Sequence, residues 1–410
     1  MKKKLHAISK RVAGITAMII VTITIVMPSF IVRVRAQDFD KVALMVGGDE
    51  SDLGFSQMAI LGAEAIAVNY PSLTVSISKL VTYAEQRIVA AYYGDEGYDL
   101  VFCVGGQFMS MLYGWDGDQI PALYPNTIWV AVPGAGYSDQ PNLVGLGPAF
   151  QVIGHYLAGA LAAKLTRTGH VGWIVGEWYD PGYLSMEANA FVAGVKYANS
   201  SVIVHLREVG SWGDPATGKT IAQTLMATYD VDIIAHVADF SGRGVMEACA
   251  EAGSPYPMVI GCVADQQTLS PDNMVTSILM DINKLMDMIV QNIFNEVYLG
   301  YKSIDIDLSS LAPYHNLDPY VPQGVRDFLA ATENLVRTDV NFDGAINILD
   351  IAAAATAFGS VLGQEGWYPA ADINGDNQVN ILDLAAIALN FGETFSPVPL
   401  NPNKPSQLDI

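Results

Sequence analysis

Between Val42 and about Asp307 the chain alternates short, unbroken apolar runs with longer amphipathic stretches. The runs VALMV (42–46), LTVSI (73–77), DLVFCV (99–104), TIWVAV (127–132), HVGWIV (170–175), VIVHLREV (202–209), DIIAHV (232–237), MVIGCV (258–263) and VTSIL (275–279) predict strands. The stretches 54–69, 83–94, 150–165, 183–198, 216–228, 242–252 and 282–297 predict helices between them. Continuously apolar strands alternating with helices indicate α/β architecture, with parallel sheets covered on both faces. So many strands are too many for one sheet. Two doubly wound lobes with a ligand in the cleft between them fit better. The expected two-lobed domain spans 38–320, with its second lobe over about 150–260.

After Asp307 the pattern changes. Residues 321–335 read as a linker that carries a short helix over 323–334. An internal repeat follows: DVNFDGAINILDIAAAATAFG begins at Asp339, and DINGDNQVNILDLAAIALNFG begins 33 residues later, at Asp372. Each copy places side-chain oxygens at loop positions 1, 3, 5 and 12. They are Asp339, Asn341, Asp343 and Asp350 in the first copy, and Asp372, Asn374, Asp376 and Asp383 in the second. With the position-7 carbonyls of Ala345 and Gln378, these sets suit a hard cation of Ca2+ size, one per loop. Asn347 and Asn380 stand at position 9, where a water often intervenes, and an apolar helix follows each loop. The module is expected over 336–396, and a disordered tail over 397–410.

Charge adds a compartment. The net charge is −21, which argues against nucleic acid as a partner. Residues 1–36 run the other way, with seven basic and no acidic residues, and Val12–Val32 carries no charge. The segment reads as a secretory signal ending near Val34-Arg35-Ala36 or, given its length, as an uncleaved membrane anchor. No Cys lies near residue 37, which excludes a lipid-anchored N-terminal cysteine there. The protein is therefore expected to be secreted or displayed on the cell surface. Cys103, Cys249 and Cys262, all in apolar contexts, read as buried small hydrophobes, with neither disulfide nor metal spacing.

One motif invites a different chemistry. Gly213, Gly218, Lys219 and Thr220 satisfy the phosphate-loop pattern G-x-x-x-x-G-K-[ST]. Asp214-Pro215 precedes the Gly-Lys pair, and Asp is a good N-cap while Pro suits the first helical position. The helix is therefore expected to start at Pro215, placing Gly218 and Lys219 on a formed turn and not on a phosphate-wrapping loop. Trp212 is also bulky where such a loop must be slim.

The same stretch, VGSWGDPATGKTIA (209–222), resembles a segment of the basic membrane protein family, the nucleoside-binding lipoproteins of ABC importers. SDLGFSQMAILGAEA (51–65), GHYLAGALAAKLTRTGHVGWIVG (154–176), AFVAGVKYANSSVIVH (190–205) and ADQQTLSPDNMVTSIL (264–279) match further family segments in order. The resemblance spans about 42–300. It implies a type I periplasmic-binding-protein fold, no catalysis, ABC permease subunits as partners, and a purine ring clamped between Phe55 and Trp212. The family's ribose contacts carry over poorly. Val263 and Met280 stand where an Asp and a Lys are expected, and Val132 where an acidic residue contacts the base. The ligand then lacks the sugar, or other polar groups take over. The candidates are Asp52, Ser56, Gln107, Asp239 and Asp265, with Asp49, Glu177, Arg243 and Gln266 behind them. Asp239 is placed best, at the end of the strand run DIIAHVAD.

The C-terminal repeat resembles the dockerin family over about 60 residues, and the resemblance implies a cohesin domain as partner. Ile348-Leu349 and Ile381-Leu382 are apolar where cellulosomal dockerins often carry polar contacts. The reading is thus an extracellular solute-binding component of an ABC importer with a small helical Ca2+-binding module. The alternatives are a surface sensor or adhesion protein without transport, and a secreted dockerin-bearing hydrolase.

Overall fold

The computed structural model describes residues 39–134, 140–146, 151–178, 182–296, 303–304, 309–341, 343–361, 368–395 and 409–410. The signal or anchor segment and residues 397–408 of the expected tail lie outside the described residues. Among the described residues no helix is long and apolar enough to cross a membrane.

The first lobe contains β1 (Lys41–Val46), α1 (Phe55–Asn69), β2 (Thr74–Ser78), α2 (Gln86–Asp95), β3 (Leu100–Val104), the short α3 (Met109–Tyr113) and α4 (Ile120–Leu123), β4 (Ile128–Val132) and β5 (Leu143–Leu146). The chain then crosses to the second lobe. There it forms α5 (Val152–Leu165), β6 (His170–Val175), α6 (Tyr183–Ala198), β7 (Ile203–Glu208), α7 (Pro215–Tyr229), β8 (Ile233–Val237), α8 (Asp239–Ala252), β9 (Met258–Val263) and β10 (Met274–Leu279). It returns as α9 (Ile282–Phe294), which packs on α1, and β11 (Ser303–Ile304), and crosses once more into β12 (Ser310–Leu311).

The two sheets have the orders β11-β5-β4-β3-β1-β2 and β12-β10-β9-β8-β6-β7. All pairings are parallel except β10 with β12. Both sheets thus repeat the 2-1-3-4-5 order of doubly wound folds, whose ligands sit beyond the carboxyl ends of the strands where the winding reverses. β3, β8 and β9 are buried along their whole length, as strands covered on both faces must be.

Two boundaries differ from the expectation. The second lobe does not end near 260, because β9 and β10 complete its own sheet. Residues 321–335 are not a free linker. They lie mostly within a docked amphipathic helix, α10 (Gln323–Thr338), whose Leu329 and Val336 are buried. Phe328 stacks on Tyr197 of α6, and Arg337 Nη2 donates to the Ser309 carbonyl at 2.7 Å. The repeat module continues from α10 with α11 (Ile348–Thr356) and α12 (Ile381–Leu389). It is tied back to the second lobe by Phe395, whose ring lies 6.4 Å from both Tyr156 and Tyr197. Of the tail, Asp409–Ile410 is ordered against the β7 edge, with reciprocal backbone bonds between Ile410 and Val204 at 2.8 and 3.0 Å.

The phosphate-loop pattern has a packing explanation. α7 begins at Pro215, and the Asp214 side chain caps it by accepting from Thr217 N at 3.1 Å. Gly218 is buried, and a Cβ there would clash with the Ser241 carbonyl oxygen of α8; Gly244 of α8 faces the Pro215 carbonyl oxygen in the same way. The two helices therefore approach backbone to backbone. Lys219 points outward to Glu247 and Glu251, at 2.8 and 2.7 Å. Gly218→Ala is expected to destabilise the protein by about 1–3 kcal/mol through overpacking. Lys219→Ala is expected to cost under about 1 kcal/mol, because its ion pairs are exposed. Urea denaturation of both variants checks the ranking; a Gly218→Ala protein as stable as the parent contradicts the helix contact.

Candidate functional site

A cavity of about 460 Å³ opens between the lobes, at the carboxyl ends of β1, β3, β8 and β9. The first lobe supplies Gly47, Gly48, Asp49 and Asp52 after β1, Phe55 and Ser56 at the start of α1, and Gln107 after β3. The second lobe supplies Glu187 of α6, Trp212 after β7, Asp239 and Phe240 at the start of α8, and Val263 at the end of β9. Of the residues singled out in the sequence, Asp52, Phe55, Ser56, Gln107, Trp212 and Asp239 thus line one cavity.

Asp265 does not. Val263 closes β9 with a left-handed φ of 67°, unusual for a β-branched residue. The chain then turns so that the Asp265 carboxylate faces outward and pairs with His315 Nε2 at 2.6 Å. Its neighbour Gln266 is the buried one. Gln266 Oε1 accepts from Cys262 N at 3.2 Å, and its Nε2 donates to the Leu53 carbonyl at 3.2 Å, across the cleft. Arg243 and Glu177 are likewise not among the lining residues, and Arg243 lies over the Phe240 ring at 5.0 Å.

The aromatic and acidic groups are held differently. Trp212 packs against Gly176, where any Cβ would meet the indole. The Asp52 carboxylate accepts backbone N–H groups of Gly54, Ser56 and Gln57 at 2.9, 2.6 and 3.1 Å, so it braces the start of α1. Asp239 has a left-handed φ of 42° and no hydrogen-bond donor among the described residues. Burial, with Asp52 nearby as a second carboxylate, pushes its pKa up to about 7. Leu80, also lining the cavity, has a φ of 56°. Three left-handed non-glycine residues around one cavity mark a backbone shaped against its local preference.

Glu187 escaped the reading of the sequence. It is 1% exposed, and its Oε2 lies 4.0 Å from His155 Nε2. His155 Nδ1 donates to the Gln151 carbonyl at 2.8 Å, and burial lowers its pKa to about 4, so this imidazole is neutral near pH 7. The signal was present: Glu187 is the one charged residue in the first three turns of a largely buried helix, YLSMEANAFVAGVKYA, whose other charge, Lys196, lies in the last turn. All three cysteines are free and buried, and burial raises each thiol.

In the C-terminal module the two acidic loops fold alike. Asp339 accepts from Asp343 N and Gly344 N at 3.0 and 2.9 Å, and Asp372 from Asp376 N and Asn377 N at 3.1 and 2.9 Å. Asp350 and Asp383, both fully buried, accept from Asn347 N and Asn380 N at 2.8 Å and so close capping boxes on α11 and α12. The sixth loop position takes a left-handed φ, by Gly344 in one copy and Asn377 in the other. Among the described residues no three acidic, His or Cys side chains already converge as a metal site. The donor chemistry nonetheless fits a cation. Burial, with Asp350 and Asp343 adding repulsion, raises Asp339 to about 6, and burial followed by Asp383 and Asp376 raises Asp372.

Residues 39–310 match the family described as ABC transporter substrate-binding protein PnrA-like, and residues 337–388 match the dockerin type I domain. Basic membrane protein A of Borreliella burgdorferi is 29% identical over 259 residues, covering 62% of this chain and 72% of that protein. Basic membrane protein C of the same species is 34% identical over 151 residues, 37% of this chain and 42% of the other. Among solved structures, an ABC transporter solute-binding protein from Aeropyrum pernix shares the fold at a TM-score of 0.57 and 20% identity, covering 72% of this chain and 86% of that one. A transcriptional activator of the comK gene from Bacillus halodurans does so at 0.58 and 24%, covering 71% and 95%.

Proposed function

We infer that this chain, which belongs to the family of PnrA-like ABC transporter substrate-binding proteins, delivers a flat, purine-like solute to the permease subunits of an ABC importer from the outer face of the membrane. The observation that carries the ligand class is the placement of Phe55 and Trp212 on opposite lobes of one cavity. Stacking on an aromatic contributes roughly 1–3 kcal/mol per base and tolerates different rings. Closure brings the two lobes together around the ligand, and Gln266 Nε2 already donates to the Leu53 carbonyl across the cleft. No step of bond making is required of the protein.

The dockerin-like module adds two Ca2+ sites, held by Asp339, Asn341, Asp343, Ala345 and Asp350, and by Asp372, Asn374, Asp376, Gln378 and Asp383. When bound, the ions neutralise the carboxylates that each loop gathers. Ile348 and Leu349 on α11 and Ile381 and Leu382 on α12 are exposed, as 63, 57, 65 and 60%. This repeated apolar face supports a protein partner such as a cohesin domain.

The sugar side of the cavity sets a test. Val263 and Met280 both line it, and neither side chain can bond a hydroxyl. An unpaired polar group costs roughly 1–3 kcal/mol. Free bases are therefore expected to bind about tenfold tighter than their nucleosides. Calorimetric titration with adenine, guanine and hypoxanthine beside adenosine, guanosine and inosine decides. Tighter nucleosides mean that other residues rebuild the ribose site; no binding by any of the six removes the purine reading.

A further inference from the structure

The cavity is charged with one sign. Asp49 and Asp52 line it from the first lobe, Glu187 and Asp239 from the second, and among the described residues no Lys, Arg or His does. Of the undescribed segments, 135–139, 147–150, 179–181, 305–308 and 362–367 contain none of these three residue types, 297–302 contains Lys302, 396–408 contains Lys404, and the remaining undescribed Lys, Arg and His lie in the N-terminal 38 residues. The two fully buried histidines of the second lobe, His155 and His236, are neutral near pH 7, since burial lowers both to about 4. Lys219, on the helix packed against α8, is engaged by Glu247 and Glu251.

Such a cavity disfavours an anion and favours a cation over its neutral counterpart. A carboxylate that loses water when two lobes close on a ligand gains from a counter-charge that offsets its desolvation. Asp239, with no hydrogen-bond donor among the described residues, is placed to receive a counter-charge. Phe55, Trp212 and Phe240 surround the same space, and the faces of aromatic rings attract positive charge, the more so when water is excluded.

We propose that the solute is a cationic, flat nitrogen heterocycle, stacked between Phe55 and Trp212 and neutralised by Asp239, with Glu187 adding to the negative potential. The proposal rests on the reading of this cavity as the solute site and adds the charge of the solute to it. Matched pairs separate the two. The full chain is titrated calorimetrically with 7,9-dimethyladeninium against 9-methyladenine, and with 1-methylnicotinamide against nicotinamide. Each pair differs by one methyl group and a permanent positive charge. The cation is expected to bind at least about tenfold tighter in each pair, equal to about 1.4 kcal/mol. Asp239→Asn, which keeps the shape and removes the charge, is expected to bring the ratio close to one; Glu187→Gln is expected to lower it partway. Cations binding no tighter than their neutral partners overturn the proposal and leave the purine reading standing. Cation preference in the nicotinamide pair, with neither purine bound, supports the charge and removes the purine. A ratio unchanged in folded Asp239→Asn and Glu187→Gln proteins overturns the assignment of the counter-charge. Silence with all four compounds overturns both readings.

Discussion

Trp212→Ala is expected to weaken binding of whichever of adenine, guanine and hypoxanthine the protein takes up by about one to two orders of magnitude. Removing one stacking face forfeits roughly 1–3 kcal/mol. The loss falls towards the upper end here, because the indole is already immobilised. It rests on Gly176, so little rotamer entropy is spent in ordering it when the ligand enters. Trp212→Phe retains a ring on the same backbone and is expected to recover most of the affinity. Phe55→Ala removes the opposite face and is expected to act similarly in size. Calorimetry with each variant, checked for an unchanged melting temperature, reads the effect. An affinity unaltered by Trp212→Ala would falsify the clamp.

Calcium removal is expected to melt residues 339–395 while leaving the two lobes folded. Each loop gathers three aspartates, of which Asp350 and Asp383 are fully buried and Asp339 nearly so. Their backbone hydrogen bonds offset part of the desolvation, yet Asp339 is still held up at about 6 by burial and by its acidic neighbours. A cation that binds only the folded loops stabilises them by mass action, about 2.7 kcal/mol per site at a hundred times its Kd. For a domain of this size that raises Tm by about 10 °C or more. Asp350→Ala and Asp383→Ala should each abolish one calcium-dependent increment. The increment is the decisive quantity, since both residues also close capping boxes and their loss destabilises the chelated protein as well. Identical calorimetric profiles in Ca2+ and in chelator would remove the ions from the account.

The strands and long helices of both lobes were legible in the sequence because their signals are local. An apolar run of the right length, such as DLVFCV, is buried on both faces wherever the sheet lies. Asp214-Pro215 starts α7 by its own capping chemistry, and that is enough to set aside the phosphate-loop pattern around it. The acidic repeat was legible for the same reason, since ligand spacing and the following helix lie within each copy. β5 was not seen, because a four-residue run, LVGL, becomes a strand only when β4 and β11 pair with it. The helix over 323–338 carried its amphipathic pattern openly, but docking on the second lobe depends on Tyr197 and Ser309, far away in the chain. The cavity shows the division most clearly. Sequence brought Asp239, Asp265 and Gln266 forward as candidates around the ends of β8 and β9. A left-handed turn at Val263 sends Asp265 out to His315 and tucks Gln266 in towards Leu53. Glu187 enters the same cavity from α6, marked in the sequence only as a lone charge in the first turns of an apolar helix. Which carboxylates face a ligand is decided by how two sheets meet across a cleft, and that meeting is a property of distant contacts that no local pattern encodes.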